Sequence, residues 1–245
     1  YTLREILSHR SGEIMGKKSK TLDLFQICDS TFPIGSFNHS FGMENYLSDG
    51  RIKKADDFNI WIKNFFESQF TYGEGLIVLL SLEALSLNKL NLLKDYDRIL
   101  TISTLAKETR NGTKLIGKQM LRLIEGIHGN IPGLEKYMKW IAEGESYGNP
   151  AVVFSIFAHS IGISKEDAFL YYGYSIASTL IQNAVRAIPL GQREGQVILR
   201  NINEMLSDLY ETAKELSVDD LGANAPGIEM AQIRHERQEA RLFMS

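Results

Sequence analysis

From Leu22 onward, apolar residues return every three or four positions, the spacing that lines up one face of a helix. Phe58, Trp61, Ile62, Phe65 and Phe66 recur this way, as do Tyr96, Ile99 and Ile102, and later Val197, Leu199, Ile202, Leu206 and Leu209. Ala151 to Ile161 is apolar almost throughout, as a helix buried on most sides would be. No run alternates apolar and polar residues between hairpin turns. Helix starts are marked by acids in a first turn at Asp56-Asp57 and by Ser164 with Asp167 in near capping-box spacing. Breaks fall at Tyr72 to Gly75, at Gly126 to Gly133, at Gly148-Asn149-Pro150, at Pro189 and at Asp219 to Gly227. The pattern predicts an all-α fold, a single helical domain of about ten helices over residues 21–245. In this reading, two helices meet between Lys107 and Arg110, and residues 228–245 return to helix.

Composition narrows the class. The chain has 245 residues, 44% hydrophobic and 23% charged, with a net charge of −3, which gives no reason to expect a nucleic-acid surface. No apolar run approaches the roughly 20 residues that span a bilayer. One cysteine, Cys28, makes neither an internal disulfide nor a thiolate-clustered zinc site. Cytoplasm is the default compartment. Residues 1–20, polar and basic after Ser11, are expected to be a disordered N-terminal extension.

The densest run of special residues is Asp29 to Glu44. Pro33 fixes one φ and biases Phe32 away from helix, and Gly35 frees the backbone for a turn. Ser36 or Asn38 then offers a cap for a new helix, on which His39 and Met43 would share a face beside Ser40 and Glu44. Phe32, Ile34, Phe37 and Phe41 all ask for burial. The stretch reads either as a docking or metal-passing surface or as close structural packing with His39 as an interior donor. A second elbow follows Asn183 and Arg186, at Pro189-Leu190-Gly191-Gln192, where Asn183, Arg186, Gln192 and Gln196 could converge.

The third feature is the tail. Arg234, Arg237 and Arg241 fall on one helical stripe, while Met230, Ile233 and Ala240 make a thin apolar face. Such a face buries too little to offset backbone ordering, and Leu242, Phe243 and Met244 would then be exposed. The expectation is a partner-binding segment over about 228–245, weakly ordered in the free protein, built on Arg234, His235, Glu236, Arg237, Arg241, Leu242, Phe243, Met244 and Ser245.

These three runs resemble the signatures of the UreF family of urease accessory proteins. The first carries Asp29, Ser30, Pro33, Gly35, His39, Ser40, Gly42 and Glu44; the second Asn183, Pro189, Leu190, Gly191, Gln192, Gly195 and Gln196; the last His235-Glu236 and Arg241-Leu242-Phe243-Met244-Ser245. Ala106-Lys107-Glu108-Thr109-Arg110 before Gly117 agrees more loosely, since the family often has Leu where Thr109 stands. The resemblance implies a non-enzymatic chaperone, commonly a dimer, that binds UreD (called UreH in some systems) and recruits the GTPase UreG. The assembled complex, and no tightly held cofactor of this chain, would then handle nickel for apo-urease.

Nothing in the residues themselves points to catalysis. The histidines His9, His39, His128, His159 and His235 form no ligand-spaced pair, and no phosphate loop or nucleophile elbow is present. A rival to the scaffold is a regulator that inserts an arginine into the GTPase site, with Arg186, Arg234, Arg237 and Arg241 as candidates.

Overall fold

A computed structural model describes residues 20–223 and 225–245. Residues 20–28 are helical (α1), and ten further α-helices follow among the described residues. They are α2 (Met43–Ser48), α3 (Ala55–Phe65), α4 (Glu74–Ser86), α5 (Leu92–Ser103), α6 (Lys107–His128), α7 (Pro132–Ala142), α8 (Pro150–Ser160), α9 (Lys165–Ala187), α10 (Gln192–Ala213) and α11 (Pro226–His235). No strand occurs among the described residues, so the all-α expectation holds. The expectation for residues 1–20 lies outside the described residues except at Lys20, which is already helical.

The centre is built from the two most apolar helices. Val152, Val153, Phe154 and Phe157 of α8 are fully buried, as are Ile77 and Val78 of α4. Helix α4 packs on α8 and on the long α9; α10 packs on α9, and α6 on α8. A run of rings, Phe65, Phe66, Phe70 and Phe169, links α3 to α9 with centroids 4.9 to 5.7 Å apart. Helix α11 lies across α2 and the start of α6, which brings the tail back to the first elbow.

Local starts follow their chemistry. Ser164 Oγ accepts from Asp167 N (3.0 Å), and Asn149 Oδ1 accepts from Ala151 N (2.9 Å) with Pro150 at the first helical position. Asp57 receives the amides of Lys53 and Lys54 ahead of α3. One buried carboxylate ties distant segments together. Asp97 accepts from the hydroxyls of Tyr137 and Thr101 and from the amides of Tyr147 and Gly148. Four donors on one buried anion meet the requirement that a buried charge be fully hydrogen-bonded.

The structure corrects several boundaries. The break before α6 falls at residues 104–106, three residues earlier than expected, because Thr104 and Ala106 take extended ψ values of 98° and 118°. The last helix ends at His235; residues 236–245 are not helical. Neither Ser36 nor Asn38 caps α2. Gly35 (φ 85°) leads into a 3-10 turn, Ser36–Asn38, and α2 begins after Gly42 (φ 91°). His39 is therefore extended (φ −120°, ψ 128°) and shares no helix face with Met43.

Gly117 of α6 sets how closely α6 approaches the turn before α8, since a Cβ there would lie 1.8 Å from the Gly148 carbonyl oxygen. Gly117→Ala is expected to lose about 3 kcal/mol or more by overpacking. Gly126→Ala on the same helix has open space and should gain about 0.5–1 kcal/mol. Urea unfolding of both variants checks the pair; equal effects would contradict this packing.

Candidate functional site: the tail latched onto the signature elbow

The tail closes over the elbow at Asp29 to Glu44, and Glu44 is the centre of the closure. It stands in the first turn of α2 and is buried. Its carboxylate accepts from the amide of Leu242, from the amide of Phe243 (3.0 Å) and from His235 Nε2 (2.8 Å). His235 is fully buried, and its other nitrogen meets Glu108 of α6 at 3.1 Å. The ring is thus held between two carboxylates, one on each nitrogen. Glu108 also receives Arg241 Nη1 at 2.7 Å. Partial burial would raise the Glu108 pKa, but hydrogen bonds from Arg241 and His235 outweigh it and hold that carboxyl below its ordinary value.

Around this ionic core the backbone joins up. Met244 N donates to Asn38 O (2.7 Å) and Ser40 N to Ser245 O (2.5 Å), while Ser245 Oγ sits 2.6 Å from His39 Nδ1. His39 is buried against Gly112 of α6, where a Cβ would come within 2.5 Å of the ring. Burial, and then the charge on His235, depress the His39 pKa and keep that ring neutral. Glu236 Oε1 accepts the first two amides of α6, from Lys107 (2.5 Å) and Glu108 (3.3 Å), so the tail caps a helix that has no capping side chain of its own. Gln232 donates to Phe41 O (3.2 Å) and to Gln69 Oε1 (3.1 Å). Phe41 is held at φ 51°, an outlier for an aromatic residue, and Gly42 follows where a Cβ would meet Gln232 at 3.0 Å. Gln69 belongs to a π-helical turn, Phe66–Phe70, that extends α3.

The second signature splits in two. Asn183 reaches the first elbow, donating to His39 O (2.9 Å), and Arg186 donates to Phe37 O (2.8 Å). The Arg186 guanidinium also lies over the rings of Phe37 (5.8 Å) and Phe243 (5.3 Å). Leu190 is buried, whereas Pro189, Gly191, Gln192 and Gln196 are exposed, so the four polar residues do not converge. Asp29 and Ser30 close the turn after α1; Thr31 donates to the Asp29 carboxylate from its amide (2.7 Å) and hydroxyl (2.5 Å). Pro33 is exposed.

Three expectations about exposure are overturned. Phe37 is 47% exposed because Arg186 covers it instead of the core. Of the three apolar residues of the tail, only Leu242 (59%) and Met244 (62%) face solvent, while Phe243 is 3% exposed and joins the core. The tail is packed in the free chain because its anchors are polar. The expected apolar face is itself turned outward, with Met230, Ile233 and Ala240 exposed; α11 buries Ile228, Ala231, Gln232 and His235 instead, and Glu44, His235, Glu108, Glu236 and the edge of the elbow supply the bonds. Arg234 and Arg237 stay exposed, and Arg241 turns inward to Glu108.

Beneath the elbow lie two adjoining cavities whose walls share Phe41, Glu74, Thr113 and Ile176. Glu74 is the ionisable group common to both, and it accepts from Tyr172 OH at 3.0 Å. Burial pushes its pKa up to about 7, only partly opposed by that hydrogen bond. Among the described residues, no group of three or more His, Cys, Asp or Glu is arranged to hold a metal ion.

Gly112, Gln69 and Gln232 are site residues that sequence reasoning did not single out. Glu108 stood only in the loosest of the four matching runs.

The fold and this site define an all-helical protein in which the first elbow, the end of α9 and the C-terminal tail meet at one charged, backbone-bonded closure. The UreF family model matches residues 52–203. A Streptococcus salivarius (strain 57.I) protein named urease accessory protein UreF is 50% identical over 224 residues, covering 91% of this chain and 94% of its own length. A Bacillus sp. (strain TB-90) protein of the same name is 42% identical over 227 residues, covering 93% of this chain and 100% of its own. One from Lachnoclostridium phytofermentans is 40% identical over 91% of this chain and 98% of its own. The chain belongs to the UreF family.

Two variants check the closure, and a third checks the cavity carboxyl Glu74. Glu44→Ala leaves His235 and two amides short of their acceptor and should cost about 3–5 kcal/mol. Phe243→Ala should cost about 3 kcal/mol. In thermal melts of the isolated protein each should lower Tm by several degrees, and unchanged midpoints would contradict a packed tail. For Glu74, the native carboxyl stays protonated to about pH 7 while the unfolded one ionises near 4.5. Its stabilising contribution is complete below the lower value and is lost as pH rises through the upper one. Glu74→Gln should therefore gain stability relative to the parent as pH rises from about 4.5 to about 7 and hold that gain above it; a pH-independent difference would contradict the assignment.

Proposed function

We propose that this protein is a urease-maturation accessory protein that acts by holding partners together and performs no chemical step of its own. The observation that carries the reading is the 40–50% identity, over nine-tenths of the chain, to proteins named urease accessory protein UreF. In this reading it binds UreD (or UreH), recruits the GTPase UreG, works as a homodimer in the cytoplasm, and leaves nickel to the assembled complex that loads apo-urease. No described helix is long and apolar enough to cross a membrane, and the net charge of −3 argues against nucleic acid as a partner.

The latched tail supports a particular division of labour. Its buried residues, His235, Phe243 and Ser245, fix the segment's shape, while Arg234, Arg237, Leu242 and Met244 remain free to meet a partner. A surface fixed before binding loses less entropy on association than one that must fold. Apolar Leu242 and Met244 beside two cations suit a partner surface that is apolar at its centre and acidic at its rim.

A second reading, regulation of GTP hydrolysis, is favoured by Arg186. It is exposed, takes part in no ion pair among the described residues, and is held by a carbonyl and two rings with donors to spare. Such an arginine suits a phosphate or a carboxylate.

Co-purification with UreD and UreG tests the scaffold. Leu242→Asp with Met244→Asp, and separately Arg234→Glu with Arg237→Glu, should abolish or weaken association while Tm stays within about 2 °C of the parent, as surface changes do. The charge pair should show the stronger salt dependence. Normal association in both would move the partner face elsewhere. Single-turnover GTP hydrolysis by UreG separates the second reading: a rise of about 10³-fold or more that vanishes in Arg186→Ala marks an arginine finger.

A further inference from the structure

Helix α6 carries Arg110, Lys114, Lys118 and Arg122 at successive spacings of four, a single row of cations about 18 Å long at 1.5 Å per residue. The row lacks acids of its own. Glu108 is committed to His235 and Arg241, and Glu125 lies beyond the last cation. Lys118 and Arg122 are exposed and make no ion pair among the described residues. Lys114 lies over the Tyr147 ring at 4.6 Å, and Arg110 folds back to the carbonyls of Thr104 and Leu105. Gly117, beside the row, fixes α6 against the turn before α8, and Gly148 of that turn lies close to the Lys118 stem, so the helix cannot rotate the row away.

Like charges four apart destabilise a helix by a few tenths of a kcal/mol for each pair. The ammonium of Lys114 feels this: partial burial lowers its pKa first, and Arg110 and Lys118 lower it further against the opposing pull of buried Asp97. Exposed acidic residues are plentiful elsewhere in a chain of net charge −3, so a row of four cations with no acid between them stands out. Leu115, 60% exposed, borders the row and adds an apolar contact.

We propose that this face of α6 docks an acidic helix of a partner protein, laid along the row with carboxylates at i, i+4 spacing. The repeat of about 6 Å on such a helix matches that of the cations, and Leu115 meets an aliphatic residue between them. A single line of four cations on an otherwise acidic protein lacks the breadth that a duplex or a membrane surface calls on. The proposal rests on neither the urease reading nor the tail.

The test uses the full-length protein and two synthetic helical peptides of identical composition, one with four glutamates at i, i+4 spacing and one with the glutamates shuffled around the helix. Fluorescence anisotropy should show the spaced peptide binding at least about 10-fold more tightly, with affinity falling as salt rises. Lys118→Glu with Arg122→Glu should remove that binding and raise Tm by about 1–3 °C, because the new acid at 118 pairs with Lys114. Lys118→Gln with Arg122→Gln should shift both readings in the same directions. Equal binding of both peptides, unaltered binding by the Glu variant, or a lowered Tm in the Gln variant would overturn the proposal. Tighter binding of duplex DNA or of phosphatidylserine vesicles than of the spaced peptide would also overturn it.

Discussion

Glu44 is buried in the first turn of a six-residue helix, and a buried carboxylate must be paired or it would stay neutral. It is paired entirely by the tail, through His235 and the amides of Leu242 and Phe243. Most of the site follows from that. His235 is held for Glu108, Glu108 for Arg241, and Glu236 is brought to the bare start of α6. The elbow takes the shape that the tail's edge can bond, with Phe41 at positive φ and Gly42 against α11. A short helix such as α2 has little stability of its own, so the closure and the elbow form one cooperative unit.

The arrangement explains why residues 127 to 206 positions apart share this region. Asn183 and Arg186 bond the carbonyls of His39 and Phe37, so the end of α9 is tied to the elbow before the tail covers both. Arg186 is the joint between the two parts, touching Phe37 on one side and Phe243 on the other. What remains exposed around it, Leu242, Met244, Arg234 and Arg237, is mounted on a frame that is already rigid. A protein that binds through such a frame selects partners by shape and charge, which suits an accessory role better than a segment that adapts to each partner.

The helical period made the fold legible, because α3, α9 and α10 each bury one face and expose the other. The cap at Ser164 was legible for the same local reason, whereas Asn149, which also caps a helix, was legible only as part of a break. The elbow's internal course was not. His39, extended rather than helical, is placed by Ser245 and Asn183, which lie far away in sequence. The tail failed as an area argument: hydrophobic bookkeeping omits charge-assisted hydrogen bonds, and those anchor residues 235–245. Phe243 could not be told from Leu242 or Met244 by type or spacing, since a non-helical segment has no fixed period. Gly112 and Gln232 matter only through contacts across the fold, with the His39 ring and with Phe41 and Gln69.

Amide hydrogen exchange in the isolated protein at neutral pH tests the closure most directly. The amides of Ser40, Phe243 and Met244 are bonded to Ser245 O, the Glu44 carboxylate and Asn38 O. The account predicts that they exchange as slowly as the core amides of α9. Exchange near the rate of an unstructured peptide, with α9 protected, would show the tail open in the free protein and contradict it.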